Sequence, residues 1–279
     1  MYTITISSKG QTWIQYLKEL LQYRDLFITF AIRDFKVKYA QTFLGFFWAI
    51  FQQIVAISVF AIIRYTAFDS ENDTIPVVLY ISAGIASWTY FDFVVNNSAN
   101  AIINSGSMIK KIYFPRLILP LSKALVGLID YLIGLIILAF MFVMYEIYPS
   151  ENIIFLPIFI FSTIMAALGL GIWVSALTIR FRDFQHIIPF ILKIGMFITP
   201  VYFSTQEVLN RAPEKWKSLT EIVFYLNPMA GNIEAIKWSL FNEQALDSEV
   251  SISIGVSAIL FITGLIYFKK SEKQMADLV

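Results

Sequence analysis

The chain has 279 residues, of which 58% are hydrophobic and only 15% are charged, and its formal net charge is +1. Soluble domains carry about 25% charged residues, so the composition excludes an ordinary soluble enzyme. It also excludes a disordered chain and a strongly nucleic-acid-binding one. Cysteine is absent, which excludes disulfide scaffolds, thiol catalysis and cysteine-ligated metals. What remains is an all-α polytopic membrane protein, in which each helix pairs its own backbone groups.

Residues 1–42 differ from the rest because polar and apolar side chains alternate there at helical spacing. No glycine or proline lies between Gly10 and Gly45, and a second apolar run, 27–35, ends in a group of charged residues. The pattern predicts an amphipathic helix over 13–38 in the membrane interface, with its basic side toward lipid head groups. Composition leaves two roles open, a simple anchor and a moving gate beside a pore.

Six apolar stretches in the remaining part, 43–279, are predicted to span the membrane, because a helix needs about 20 apolar residues to cross about 30 Å of hydrocarbon. The fifth is short and contains Lys193. The stretches are 43–63, 76–99, 117–145, 153–179, 187–204 and 251–268.

The distribution of Lys and Arg orients these spans. With a cytoplasmic N-terminus, the inner segments hold 14 of these residues and the outer segments five. Short cytoplasmic loops carry the excess of positive charge, so both termini are predicted to be cytoplasmic. The long outer segment, 205–250, reads as two short amphipathic helices broken at Asn227-Pro228. They would either dip back into the outer leaflet or pack against the bundle from the water side.

Catalytic and metal-binding patterns are missing from the sequence. The single histidine, His186, lies in a short basic turn, and no cluster has metal-ligand spacing. No G-x₄-G-K-[ST] phosphate loop occurs, so the chain is not expected to hydrolyse nucleotide itself. An acidic group at Asp69, Glu71 and Asp73 is interpreted as a solvated turn. We therefore expect no catalytic residue, metal or cofactor in this chain.

Four ionisable residues fall within the spans: Asp92, Lys123, Asp130 and Lys193. Such residues are costly in hydrocarbon and usually face the interior of the bundle. Three lie near cytoplasmic ends, where snorkelling explains them. Asp130 is deeper and needs a partner, and it shares a helix face with Lys123, seven residues away.

Aromatic residues crowd the first, second and fifth spans. Their faces suit the apolar faces of sugar rings, so stacked rings could hold a glycan weakly enough to let it slide. Lipid contact and core packing are the alternative for each of them. The candidate channel residues are Phe47, Trp48, Phe51, Trp88, Phe91 and Tyr202.

Several short motifs, taken in order, resemble ABC-type polysaccharide export permeases, the membrane subunits that export O-antigen, teichoic acid and related glycans. The likeness covers nearly the whole chain. One departure is Ser87, where proline is expected before Trp88. The motifs are Arg33-Asp34-Phe35-Lys36-Val37-Lys38-Tyr39, Thr42, Leu44-Gly45, Trp48, Ala83-Gly84, Trp88, Phe91, Lys111, Phe114-Pro115-Arg116, Leu119-Pro120, Asp130, Phe181-Arg182-Asp183, Pro189, Thr199-Pro200-Val201-Tyr202 and Asn227-Pro228-Met229.

The resemblance implies a homodimer in the inner (plasma) membrane that binds two copies of a separate ABC ATPase subunit. That subunit would hold ATP and Mg²⁺. A coupling helix would lie at about 104–116, with a secondary contact at 180–183. An amphipathic gate helix and a Leu-Gly loop would precede the first span. The implied coupling residues are Lys110, Lys111, Phe114, Pro115, Arg116, Arg182 and Asp183, and the gate and entry residues are Arg33, Asp34, Lys36, Lys38, Tyr39, Leu44 and Gly45.

The substrate expected from this resemblance is an undecaprenyl-diphosphate-linked polysaccharide, with O-antigen favoured. Arg33, Lys36 and Lys38 are candidates to meet its pyrophosphate. Teichoic acid, capsule, drugs and other lipids remain alternative cargoes of such an exporter. An ATP-independent flippase and a membrane-embedded transferase are alternative functions. The transferase would need polar catalytic residues clustered at one membrane face.

Overall fold

A computed structural model describes residues 12–40, 43, 45–67, 75–211, 213–242 and 246–272. All regular secondary structure in these ranges is helical. The α-helices are α1 (Trp13–Gln22), α2 (Arg24–Tyr39), α3 (Phe47–Ala67), α4 (Val77–Ala101), α5 (Gly106–Ile109), α6 (Ile118–Met144), α7 (Leu156–Arg180), α8 (Phe184–Ile198), α9 (Thr205–Arg211), α10 (Lys217–Tyr225), α11 (Pro228–Phe241) and α12 (Val250–Glu272).

Five of these helices, α3, α4, α6, α7 and α12, are long and apolar enough to cross a membrane, which confirms the predicted all-α polytopic class. The fifth predicted span, 187–204, is different. Its helix, α8, has 15 residues, or about 22 Å at 1.5 Å per residue, which is less than the hydrocarbon thickness. Beyond Ile198 the chain continues without regular structure to Ser204 before α9 begins.

The centre of the bundle is α4. In its most apolar stretch 72% of the residues are buried, against 22% in α12, and it contacts α3, α6, α7, α8 and α11. Small residues on α4 allow this close packing, as is usual between membrane helices. Gly84 shows it best, because a β-carbon there would lie 2.4 Å from the carbonyl oxygen of Val201. The irregular segment after α8 therefore rests directly on the α4 backbone.

The N-terminal helices and the C-terminal end of α12 lie at the same end of the bundle. The backbone amide of Arg116, in the connection between α4 and α6, donates to Glu272 at 2.6 Å. The ammonium of Lys269 lies 4.2 Å from the ring centre of Trp13 in α1. Because α6 and α7 run antiparallel, the α7–α8 turn at 181–183 belongs to this end as well. We call it the basic end; α9, α10 and α11 lie at the other end.

The N-terminal region contains two helices, whereas the sequence predicted one. Thr12 and Gln15 form a capping box at the start of α1, and the helix ends at Tyr23, where φ is −92° and ψ is 20°. No glycine or proline marks this break. Ile14, Leu17 and Leu21 on α1 are exposed, as an interfacial helix requires.

The outer segment, 205–250, contains α10 and α11 on either side of Asn227-Pro228, as predicted, and also a third short helix, α9, which was not predicted. The Asn227 side chain accepts a hydrogen bond from the Met229 amide at 3.0 Å, and Pro228 occupies the first helical position, which is a favoured start for a helix. The prediction that both helices are amphipathic is wrong for α11. Most of its residues are buried, because it packs against α4, α7 and α12.

Candidate functional site

Ion pairs connect the end of α2 to α6. The carboxylate of Asp34 lies 2.5 Å from the Lys123 ammonium and 2.8 Å from the Arg33 guanidinium. The Asp34 and Lys123 side chains are largely buried, with 13% and 18% of their surface exposed. Lys123, interpreted from the sequence as a snorkelling residue, therefore holds α2 against α6.

A second contact between the same helices lies one turn further along. Asp130 accepts hydrogen bonds from the Lys38 ammonium and the Tyr39 hydroxyl, which supplies the partner that its depth in the bundle demands. Lys38 also lies 3.9 Å from the ring centre of Phe93. Burial, followed by the hydrogen bond to Asp130 and its negative charge, raises the pKa of Tyr39, so this phenol stays a donor.

Among the remaining predicted gate residues, two are exposed cations and one is a glycine in a turn. Arg33 and Lys36 are exposed on α2 and can meet an anion. Gly45 has φ +51°, a left-handed conformation that glycine adopts at little cost, and this agrees with a tight turn before α3. Leu44 and Thr42 lie outside the described residues, as do Asp69, Glu71 and Asp73.

Some of the predicted coupling residues are exposed at the surface, and others are buried in the core. Lys110 and Lys111 are exposed, whereas Phe114 and Pro115 are buried within the chain and Arg116 is half-buried. The apolar side chains available to a partner are instead Ile112 and Tyr113, 48% and 65% exposed, and neither was predicted from the sequence. A cavity of about 230 Å³ lies among residues 109–114 and Arg116.

The turn between α7 and α8 presents Phe181, Arg182 and Asp183 to the surface at the same basic end. His186 is exposed nearby, and in the described ranges no three His, Cys, Asp or Glu side chains could hold a metal ion. The basic end thus carries two exposed loops that mix cations with apolar side chains.

The six candidate channel aromatics do not share one surface. Phe47, Trp48 and Phe51 are exposed on α3, and the Trp48 and Phe51 rings are stacked with centroids 5.5 Å apart. Trp88 and Phe91 are each only 4% exposed and pack in the bundle core.

Tyr202 is half-buried and stacks on Phe60 at 5.3 Å. Beside it lies a cavity of about 520 Å³ at the end opposite the basic one, lined by Phe197, Ile198, Tyr202, Phe203, Glu207, Val208, Arg211 and Phe224. Of the six candidates, those on α3 and Tyr202 are therefore the ones that a substrate or a second chain can touch.

A buried polar cluster, which was not predicted from the sequence, holds the irregular segment 199–204 inside the bundle. The Lys237 ammonium donates to the carbonyls of Pro200 and Phe203 at 2.6 and 3.1 Å. Arg64 pairs with Glu207 at 3.0 Å. Arg64 also donates to the carbonyl of Tyr202 at 3.1 Å. Buried non-helical backbone needs such internal partners, and these cations supply them.

Comparison with known proteins agrees with this architecture. A family model described as ABC-2 type transporter matches residues 25–241. The O-antigen export system permease protein RfbA of Myxococcus xanthus is 23% identical over 265 residues, covering 95% of this chain and 99% of that protein.

Two proteins of the same name from Klebsiella pneumoniae are 29% and 28% identical over 261 residues, covering 91% of this chain and 95% of each. These findings confirm the resemblance seen in the sequence motifs. Since the family match includes well over half of the residues, the chain belongs to the ABC-2 type transporter family.

Proposed function

We propose that this chain is the membrane-spanning permease of an ATP-driven exporter that moves a lipid-linked polysaccharide, of the O-antigen kind, from the cytoplasm across the inner membrane. The observation that carries the proposal is the similarity, over nearly the whole chain, to permeases named for O-antigen export. A hydroxyl-rich glycan cannot cross hydrocarbon unaided, so it needs a protein-lined path. No observation favours teichoic acid, capsule or drug cargo.

The energy would come from a separate ABC ATPase that binds ATP and Mg²⁺, in two copies. The sequence has no phosphate-binding loop of its own. The basic end offers a docking surface, with Lys110, Lys111 and Tyr113 exposed on one loop and Arg182 and Asp183 on the other. In this proposal the basic end is cytoplasmic, which agrees with the excess of Lys and Arg there.

The path would lie between two copies of the chain. The α3 helix exposes an aromatic and aliphatic stripe that includes Trp48, Phe51 and Val55. Phe190, Ile194 and Phe197 are exposed on α8, and Lys193 is exposed on the same short helix. This exposed cation beside the apolar side chains of α8 supports a path there that polar groups can line.

Entry of the substrate would occur at α2. Arg33 and Lys36 are exposed there and would meet the diphosphate of an undecaprenyl-diphosphate-linked polysaccharide. Lys38 is paired with Asp130, and it would reach the diphosphate only when α2 separates from α6. The Asp34–Lys123 and Lys38–Asp130 pairs would then hold the entrance closed between transport cycles.

The test is reconstitution of the chain with its ATPase in vesicles that contain the lipid-linked glycan. We expect ATP-dependent movement of glycan that needs both proteins, and about tenfold less movement after Arg33→Gln with Lys36→Gln. Lys18→Gln with Arg24→Gln removes two exposed cations from the same region and serves as the control. Transport of glycan by this chain alone would contradict the proposed function. Export that is unaffected by the Arg33 and Lys36 changes would contradict the proposed entry site.

A further inference from the structure

The last residue of α12, Glu272, is bound to the loop that precedes α6. Its carboxylate accepts the backbone N–H of Arg116 at 2.6 Å, and the Arg116 guanidinium donates to the main-chain carbonyl of Glu272. The two residues are 156 positions apart in the chain. This reciprocal contact joins residues 110–116, which we call the coupling loop, to the end of the last helix.

The same end of α12 also carries α1. The Lys269 ammonium lies 4.2 Å from the ring centre of Trp13 and 5.2 Å from that of Tyr16, within the range of cation–π attraction. Tyr16 is only 4% exposed, and burial together with the neighbouring Glu272 carboxylate raises its pKa. Glu272 therefore lies between the coupling loop and α1.

The coupling loop touches α2 through its buried aromatic side. Phe114 packs on Phe30 with ring centroids 5.5 Å apart, and the two side chains are 3% and 2% exposed. Both belong to one hydrophobic cluster with Tyr16 of α1 and Phe268 of α12. Because packed cores resist continuous deformation, a displacement of the loop must be shared by α1 and α2.

The α12 helix is itself fixed to the bundle. It packs along α7, where the indole N–H of Trp173 donates to the Thr263 hydroxyl at 3.0 Å and the Trp173 and Tyr267 rings stack at 4.5 Å. The Arg116–Glu272 contact thus ties the loop to a rigid helix at one point. Motion of the loop about that point would carry Phe114 against Phe30 and so push on α2.

We propose that Glu272 is a positioning residue for energy coupling, which anchors the coupling loop to α12 so that a push from the ATPase on the loop moves α2 and its gate contacts. The inference rests on the proposed function, since it requires an ATPase partner. It assigns a specific role to the C-terminal end of the last span, which lies outside both of the exposed loops that would meet the ATPase.

The test compares Glu272→Ala and Glu272→Gln in the reconstituted complex. Glu272→Ala removes the acceptor for the Arg116 amide, so ATP hydrolysis should continue while the glycan moved per ATP falls by about tenfold. Glu272→Gln keeps an oxygen acceptor and should rescue most of this ratio. Lys270→Ala, at an exposed neighbouring position, is the matched control and should leave the ratio unchanged.

A second measurement does not depend on transport. Hydrogen–deuterium exchange of the chain without ATPase should show faster exchange at 110–116 and in α1 for Glu272→Ala, and not for Lys270→Ala. If Glu272→Ala moves as much glycan per ATP as the wild type does, the anchoring role is refuted while the proposed function stands. If the wild-type chain moves glycan without an ATPase, the proposed function is refuted, and the coupling role of Glu272 is refuted with it.

Discussion

Lys38 and Asp130 are 92 residues apart in the chain, and their side chains meet in an ion pair between α2 and α6. The two side chains are only 25% and 18% exposed, so removal of one charge leaves the other partly desolvated. We expect Asp130→Asn to lower the free energy of unfolding by about 3 kcal/mol, measured by unfolding of the purified protein in detergent.

The double variant Lys38→Gln with Asp130→Asn should lose less stability than the sum of the two single variants, because neither charge is then left without its partner. Asp25→Asn is the control, since that carboxylate pairs with Arg24 at the surface and is 90% exposed. Equal stabilities for the Asp130 and Asp25 variants would show that the pair contributes nothing.

Asp130 also illustrates what the sequence could and could not predict about the site. The need for a partner followed from the cost of a carboxylate in hydrocarbon. The partner itself could not be predicted, because Lys38 lies on a separate helix and a single sequence does not report which helices touch. The same limit applies to Lys123, whose pairing with Asp34 was missed.

The long spans were predictable because length and hydropathy alone define them, and the Asn227-Pro228 break was predictable from local turn chemistry. The buried segment 199–204 was not. Its Thr-Pro-Val sequence reads as the end of an apolar span, and Lys237 reads as a cation of an outer loop. Only the three-dimensional structure shows that this lysine turns inward to the segment's carbonyls.

Gly45 should tolerate substitution poorly for a conformational reason. Its φ of +51° is left-handed, and apart from its chain neighbours no described residue has an atom within 4 Å of the position that a β-carbon would take, so space is not the limit. Gly45→Ala should cost about 1–2 kcal/mol of unfolding free energy, and Gly45→Asn should cost less. Gly255, in α12, has equally open surroundings without a positive φ, so Gly255→Ala should be neutral or stabilising. Equal effects at both positions would contradict the argument.

Lys237 should be essential for stability because its ammonium donates to two backbone carbonyls of segment 199–204. Its side chain is 3% exposed, and Lys237→Met would leave the Pro200 and Phe203 carbonyls without this donor. We expect a loss of about 3 kcal/mol, seen as a lower unfolding midpoint in detergent. Lys217→Met, at a half-buried lysine whose side chain is 40% exposed and lies 3.8 Å from Glu214, should have little effect. A harmless Lys237→Met would mean that other groups satisfy these carbonyls.

The ion pair of Glu207 with Arg64 predicts that the stability of the fold depends on pH. Burial favours its neutral form, but hydrogen bonds from Arg64 and the Ser204 amide outweigh burial and lower the pKa of Glu207 below its ordinary value of 4.5. A lowered pKa in the folded state means that the ionised carboxylate stabilises the fold above about pH 4.5, and that this contribution is lost as pH falls through the lowered pKa. The stability difference between wild type and Glu207→Gln should therefore be full at neutral pH and shrink in acid. A difference that stays constant with pH would exclude the assignment.

Substitution of aromatic residues should affect mainly transport on α3 and mainly stability on α4. Trp48 and Phe51 are exposed and stacked, so Trp48→Ala with Phe51→Ala should leave unfolding nearly unchanged while export in reconstituted vesicles falls several-fold, because ring faces available to sugars are lost. Trp88 is buried, and Trp88→Ala should instead cost about 3–5 kcal/mol. The export assay must be normalised to folded protein in the membrane, since a destabilised variant transports less for lack of molecules. If the α3 variant exports normally while it remains folded, these rings face lipid or a second chain and not the glycan.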